Sequence, residues 1–268
     1  MLKLYFNLMA LEDCATAPGA RDPERLCAAL RESGYQGVQF VEPLTAAQDR
    51  AARNHGLGRC GLGRVNRPEE AGPLAGRLAD EGMECATLHV GWGGEDDDQG
   101  ARLLQAVLAA SERFRIPLHV ETHRATLFQD LWRTVQFVKR FPDLTLNGDF
   151  SHWYTGLEMV YGGFDQKLRF IEPVFERIHF VHGRIGSPGC MQVALEDLDA
   201  PYVGHFRELW RRSFAGKASM YFVPELLSPR IYYARSFQGA EEGDRWRDAL
   251  TLCGMARECW DRVQGTRT

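Results

Sequence analysis

The chain predicts an α/β protein built as one (β/α)8 barrel over residues 1–268, and three observations predict it. Short β-rich runs alternate eight times with longer amphipathic runs, which is the signature of parallel strands joined by crossover helices. The length, 268 residues, is near the roughly 250 of a complete barrel domain. Finally, no GxGxxG follows the first run, and polar residues end many strands instead of gathering at one switch point, so a closed barrel is favoured over an open doubly wound sheet.

The elements follow in order. The opening Met1-Leu2-Lys3-Leu4-Tyr5-Phe6-Asn7-Leu8 is read as a first strand at 2–8. It is too short for a membrane span, and it runs into Glu12 and Asp13 without a signal-type cleavage pattern. Asp22 before Pro23 marks an N-cap with proline at the first helical position, opening a helix over 23–33. A strand at 37–42, a helix at 46–54, a strand at 59–65 and a helix at 69–80 come next; Gly34, Gly56 and Gly82 close the three helices. Strand 84–90 precedes the acidic run Glu95-Asp96-Asp97-Asp98, read as a solvated loop whose charge suits the N-terminus of the helix at 99–114. Strands at 118–121 and 144–149 bracket a helix at 128–140, and a helix at 164–172 leads to a strand at 178–182. The longest stretch without regular structure, 183–199, follows that strand and is expected to cover the barrel mouth. A helix at 203–213, a strand at 220–225 and a helix at 242–263 complete eight units, with no internal repeat.

Composition bounds the function. Hydrophobic residues at 44% and charged residues at 25% describe an ordinary globular protein with one large core. Formal charge is 32 − 36 = −4. With a pI near 6.1 and no basic stripe, a nucleic acid partner is disfavoured and a small-molecule substrate favoured. No apolar run reaches the roughly 18 residues of a membrane helix. Seven scattered cysteines without a CxxC pair indicate buried, reduced thiols and a cytoplasmic setting. A homo-oligomer is compatible with all of this.

The chemistry sits at the strand ends, which are Asn7, Glu42, His89, Glu121, Asp149, His182 and Glu225, with Arg64 and Asn66 beside strand 3. Strand alternation puts His182 on the axis and His179 on the opposite face, and places His119 one layer beneath Glu121. Glu121, Asp149, His182 and Glu225 come from four successive strands. Three carboxylates and an imidazole suit Mn²⁺, Mg²⁺ or Co²⁺, while the lack of cysteine argues against a thiolate zinc site. Such carboxylates repel one another unless a cation joins them, or unless each pairs with an arginine such as Arg124 or Arg184. Trp92 and Trp153, after strands 4 and 6, suit either sugar stacking or core packing. Arg64, Arg124 and Arg230 could bind a carboxylate or phosphate, although at least two of them are expected to be ion-pair partners.

Four segments carry a resemblance: His119-Val120-Glu121-Thr122-His123, Asp149-Phe150-Ser151-His152-Trp153 with its D-x-x-H, His179-Phe180-Val181-His182-Gly183-Arg184, and Val223-Pro224-Glu225-Leu226. On these the chain resembles, over nearly its whole length, the xylose-isomerase-like TIM barrel superfamily, which includes sugar isomerases, ketose 3-epimerases, inosose and dehydroshikimate dehydratases, and the endonuclease IV group. The resemblance implies that Glu121, Asp149, His182 and Glu225 hold one divalent metal, Mn²⁺ first, with Mg²⁺, Co²⁺ or Zn²⁺ as alternatives. It also implies that Glu121 and Glu225 act as acid and base. His152 and Arg184 would contact substrate, although Arg184 stands closer to the strand 7 histidine than in the epimerases. His89 matches a residue that binds substrate in some members and a second metal in the endonuclease IV group. Glu42, Trp92 and Trp153 complete the expected substrate contacts. The implied activity is isomerisation or epimerisation of a sugar or related polyol, by proton removal next to a carbonyl and an enediolate intermediate. The alternatives are a metal-dependent dehydratase or lyase, then an endonuclease IV-like phosphodiesterase, which lacks its strand 3 histidine here, or a non-catalytic metabolite binder.

Overall fold

Eight parallel strands close on themselves in sequential order, with β8 returning to pair with β1 through Leu2↔Met220 and Leu4↔Phe222. The computed structural model describes residues 1–11, 13–161, 163–234, 236–237, 240–241 and 243–265, so Glu12 and the expected last-helix start at Glu242 lie outside the described residues. The strands are β1 (Leu2–Asn7), β2 (Gly37–Phe40), β3 (Gly58–Val65), β4 (Ala86–Val90), β5 (Leu118–Glu121), β6 (Leu146–Asn147), β7 (Ile178–Gly183) and β8 (Met220–Pro224). Around them run α1 (Pro23–Glu32), α2 (Ala46–Asn54), α3 (Pro68–Asp80), α4 (Asp97–Phe114), α5 (Leu131–Arg140), α6 (Phe150–Gly156), α7 (Phe164–Phe170), α8 (Glu172–Phe175), α9 (Pro201–Phe214) and α10 (Arg245–Gly265). The predicted barrel is the observed one. No helix among the described residues is long and apolar enough to cross a membrane.

Local chemistry sets the boundaries. Asp22 accepts hydrogen bonds from the backbone of Glu24 and Arg25, as its N-cap position predicts. The acidic run departs from expectation: Asp96 caps α4, but Glu95 is buried and accepts from the amides of Trp92 (2.7 Å) and Gly93 (2.9 Å). Glu95 therefore folds the loop after β4 instead of solvating it. All seven cysteines are free and buried, as expected.

The barrel interior has two layers. The lower one is mostly apolar, with Tyr5, Cys60, Cys85, Phe180 and Val223. Above it, towards the C-terminal strand ends, lies a buried polar layer of Asn7, Gln39, Thr87, Glu121, Asn147 and His182. The Tyr5 ring crosses the floor to donate to Glu84 Oε1 at 2.8 Å, and only glycine fits beneath it: a Cβ at Gly37 would lie 2.3 Å from the ring. Gly37→Ala is therefore expected to cost about 1–3 kcal/mol by overpacking. The readout is a lower urea midpoint at unchanged m-value.

Loops 7 and 8 are bound to each other over the mouth. Gln192 donates to Leu227 O (3.0 Å) and accepts from Leu227 N (2.7 Å), and its own amide reaches Tyr233 O at 3.0 Å. The long loop after β7 thus covers the barrel end, as its length suggested.

Candidate metal centre

Asp149 owes its position to a helix that the sequence reading did not find. Strand 6 was expected to run to 149, yet β6 stops at Asn147 and Asp149 is the N-cap of α6. Its Oδ1 accepts from Ser151 N (3.1 Å) and Ser151 Oγ (2.6 Å), which turns Oδ2 towards the barrel axis. One helical turn later His152 returns to the same carboxylate, with Nε2 3.5 Å from Oδ2. The aromatic run Phe150-Ser151-His152-Trp153-Tyr154 has no helical alternation of polar and apolar residues, because all five side chains are buried.

His182 is held by two neutral amides. Asn147 Oδ1 accepts from the His182 backbone amide (3.0 Å), and Gln39 Oε1 lies 3.1 Å from His182 Nε2. Gln39 is oriented in turn by Thr87 (2.9 Å) and Asn7 (2.9 Å). An amide oxygen can only accept, so Nε2 carries a proton; Nδ1, 3.0 Å from Asn147 Nδ2, is the atom on the side of the carboxylates. From Nδ1 the distances are 3.3 Å to Glu121 Oε2, 3.6 Å to Glu225 Oε1 and 4.0 Å to Asp149 Oδ2. Asn147 also donates to Glu121 Oε2 at 2.9 Å.

The donor set suits a divalent cation. Glu121, Asp149, His182 and Glu225 are all buried and place ligand atoms within 4.8 Å of one another. A cation bound at about 2.1 Å holds neighbouring ligand atoms about 3.0–3.4 Å apart, so a small contraction of these four would enclose one. The buried Glu121 Oε1 has one polar neighbour among the described residues, His89 Nε2 at 3.3 Å. Charge distribution agrees. Burial lowers the pKa of His182, but Glu225 and Glu121 overcome it and raise the value to about 9. Burial raises Glu121, yet His182 and His89 hold it well below the usual carboxylate range. Burial lifts Asp149 to about 6 against the pull of Arg184. The position facing His182 Nδ1 therefore favours positive charge.

Arg184 is placed otherwise than expected. It is fully buried inside the cluster, not presented to substrate: Nη1 donates to Glu225 Oε2 (3.0 Å), Nη2 pairs with Asp149 Oδ2, Nε donates to Ser151 Oγ (2.9 Å), and Nη2 lies 3.0 Å from His152 Nε2. Two of the three carboxylates thus have an arginine partner, and Glu121 does not. Because Arg184 donates to Nε2 of His152, the proton of that ring is on Nδ1, which has no hydrogen-bond partner.

The other expected substrate contacts divide. His89 stands at the rim, with its ring 4.2 Å from that of His123, which lies 3.7 Å from the His152 ring. His89, Glu121 and His123 form a second group of donors within 4.8 Å. Glu42 is not part of the site: β2 ends at Phe40, Gln39 takes the inward position, and Glu42 is exposed beside Leu8, Met9 and Phe40. Trp153 is a core residue, fully buried against Phe150, with Nε1 donating to Phe128 O at 2.9 Å. Trp92 is 67% exposed on the loop after β4. The sequence reading missed Gln39, Thr87, Asn147 and Ser151; a polar residue at an inward strand position was the available signal for Gln39 and Asn147. Of the three arginines near strand ends, Arg230 alone makes an ion pair among the described residues, with Asp13 at 3.3 Å.

No protein-family model matches the chain, and no curated protein sequence matches it. Solved structures do match in fold. A D-tagatose 3-epimerase-like protein is 12% identical with a TM-score of 0.59, over 99% of this chain and 100% of that one. A xylose isomerase domain protein from Planctomyces limnophilus is 14% identical with a TM-score of 0.59, over 99% and 98%. The probable 3-DHS dehydratase of petrobactin synthesis from Bacillus anthracis is 12% identical with a TM-score of 0.54, over 94% and 97%. These likenesses show the fold that the chain shares with them, a single (β/α)8 barrel.

Proposed function

We propose that this chain is an enzyme that binds one divalent cation, Mn²⁺ first, through Glu121, Asp149, His182 and Glu225. With it the enzyme moves a proton at the carbon next to a carbonyl of a sugar or related polyol. One observation carries the reading: three carboxylates that follow β5, β6 and β8 converge on Nδ1 of His182, whose ring is fixed by Gln39 and Asn147. The cation, when bound, supplies Lewis-acid charge beside a substrate carbonyl oxygen.

Glu121 is the base, because among the described residues it alone of the three carboxylates pairs with no arginine, and it is buried where a carboxylate keeps its charge. Glu225 is the partner acid, with Oε2 on Arg184 and Oε1 3.3 Å from Asn7 Nδ2. His152 Nδ1–H orients a substrate oxygen. Return of the proton to the opposite face gives epimerisation, and return to the adjacent carbon gives isomerisation; both follow from two carboxylates around one centre. The fold's likeness to an epimerase-like protein and a xylose isomerase domain protein supports this order, and its likeness to a dehydratase keeps loss of a β-hydroxyl as the second reading.

The test loads the purified protein with MnCl₂, counts metal by mass spectrometry, and incubates it with a panel of ketoses in deuterated water. About one ion per chain and solvent deuterium at the acidic carbon are expected. A metal-free protein that exchanges nothing would sink the reading. The His89–Glu121–His123 group favours one competing reading, a multi-metal phosphodiesterase. Two or more ions per chain with cleavage of an abasic duplex would establish that instead, against a formal charge of −4.

A further inference from the structure

We infer that the substrate carries an oxyanion, a carboxylate or phosphate, which is read at the barrel rim by Arg124, with Arg64 at the other end of the same wall of rings; this rests on the polyol reading of the site below. The argument begins with charge. Glu121, Asp149 and Glu225 contribute three negative charges, Arg184 one positive charge, and a divalent cation two, so the loaded centre is neutral with His182 as a neutral ligand. Whatever charge remains at the rim decides what the mouth attracts.

Two arginines place positive charge there. Arg124 and Arg64 are exposed, and among the described residues neither pairs with a carboxylate. Three acidic side chains on the loops at this end of the barrel are engaged elsewhere, while Glu42 lies exposed beside Leu8, Met9 and Phe40. Glu95 is spent on the amides of Trp92 and Gly93, Asp13 pairs with Arg230, and Asp130 caps α5.

The two arginines are also held in place. Arg64 donates through Nη1 to Gly91 O (3.2 Å) and sets Nη2 3.2 Å from His89 Nδ1. Arg124 lies over the Tyr233 ring, its guanidinium carbon 4.5 Å from the centroid, and the Tyr233 carbonyl is fixed by the Gln192 amide. Stacking occupies the face of a guanidinium and leaves its edge N–H donors free, which is the arrangement for bidentate capture of an oxyanion. Between the arginines runs a continuous wall of rings: His89 to His123 at 4.2 Å, His123 to His152 at 3.7 Å, and His152 to Tyr233 at 5.8 Å. This wall leads from the rim to Glu121 and Arg184. A chain of carbons whose carbonyl reaches the centre would lie along it, with its charged end at Arg124.

The experiment measures binding to the Mn²⁺-loaded protein by titration calorimetry. The ligands are D-fructose, D-fructose 6-phosphate and 2-keto-D-gluconate, so that the neutral polyol, the phosphate and the carboxylate are separated. At least one charged ligand is expected to bind about tenfold or more tightly than fructose, the worth of a charge-assisted hydrogen bond. That advantage should fall about tenfold in Arg124→Gln and shrink in 0.5 M NaCl, while fructose affinity and the melting temperature stay unchanged. The phosphate and carboxylate arms decide which oxyanion is read. Fructose binding as tightly as both anions overturns this inference and leaves the polyol reading intact. So does an anion advantage that survives Arg124→Gln combined with Arg64→Gln. Failure of all three to bind overturns both.

Discussion

Glu121→Gln is expected to lower kcat/KM by about 10²–10⁴-fold, the contribution of a positioned base, while the protein stays folded. The substitution is nearly isosteric. The amide oxygen can replace Oε2 as acceptor for Asn147, which donates there at 2.9 Å, so the polar layer keeps its hydrogen bond. What disappears is the anionic Oε1 and its pull on His182 and His89. The new amide nitrogen would face His89 Nε2, 3.3 Å from Oε1 in the native protein, and it can donate a proton but not accept one. The measurements are kcat/KM on whichever ketose exchanges, the rate of deuterium incorporation, and the melting temperature. Loss of exchange with an unchanged melt assigns the proton transfer to this residue. A variant within fivefold of the parent would remove Glu121 as base and shift that role to Glu225. Metal content should be counted in the same sample, because the same substitution takes one ligand from the centre.

The barrel and the four donors were legible in the sequence because both depend on local regularities. Period-two alternation fixes which residues point inwards, and the C-terminal ends of barrel strands fix where they meet. The errors came from residues whose meaning is set by distant neighbours. Glu42 looked like a strand end, but β2 stops two residues earlier, and the inward residue is the neutral Gln39, which bears no obvious chemistry until His182 lies against it. Asp149 joins the buried cluster although the strand expected to carry it ends at Asn147; helix capping, not strand register, aims its carboxylate. Trp153 could have served sugar or core, and only the packing partner Phe150 and the acceptor on Phe128 decide for the core. Tyr233, which stacks on Arg124 and also lies 5.1 Å from the Arg184 guanidinium, had no signal in its surroundings, because the loop carrying Gln192, 233 − 192 = 41 residues earlier, positions it through the backbone.

Arg184→Met should reveal how far an internal cation competes with a bound one. The guanidinium is fully buried and bonds Asp149 and Glu225 together. Methionine fills part of the volume but leaves two buried carboxylates without that partner, a loss of about 3–5 kcal/mol. For a domain of this size that lowers the melting temperature by roughly 6–20 °C in EDTA. Mn²⁺ should reverse the ranking. In the parent, Arg184 has already offset one of three negative charges, and it repels a divalent ion placed among the same carboxylates. Without it the ion meets the full acidic set, so its affinity should rise at least about tenfold, and saturating Mn²⁺ should raise the melt of the variant more than that of the parent, since stabilisation grows as RT ln(1 + [L]/Kd). Melting both proteins in EDTA and across a Mn²⁺ series gives the result directly. Equal melts in EDTA would mean that the arginine carries no stabilising charge there. An equal response to Mn²⁺ would mean that the ion binds away from Asp149 and Glu225, and the centre would have to be sought at His89, Glu121 and His123.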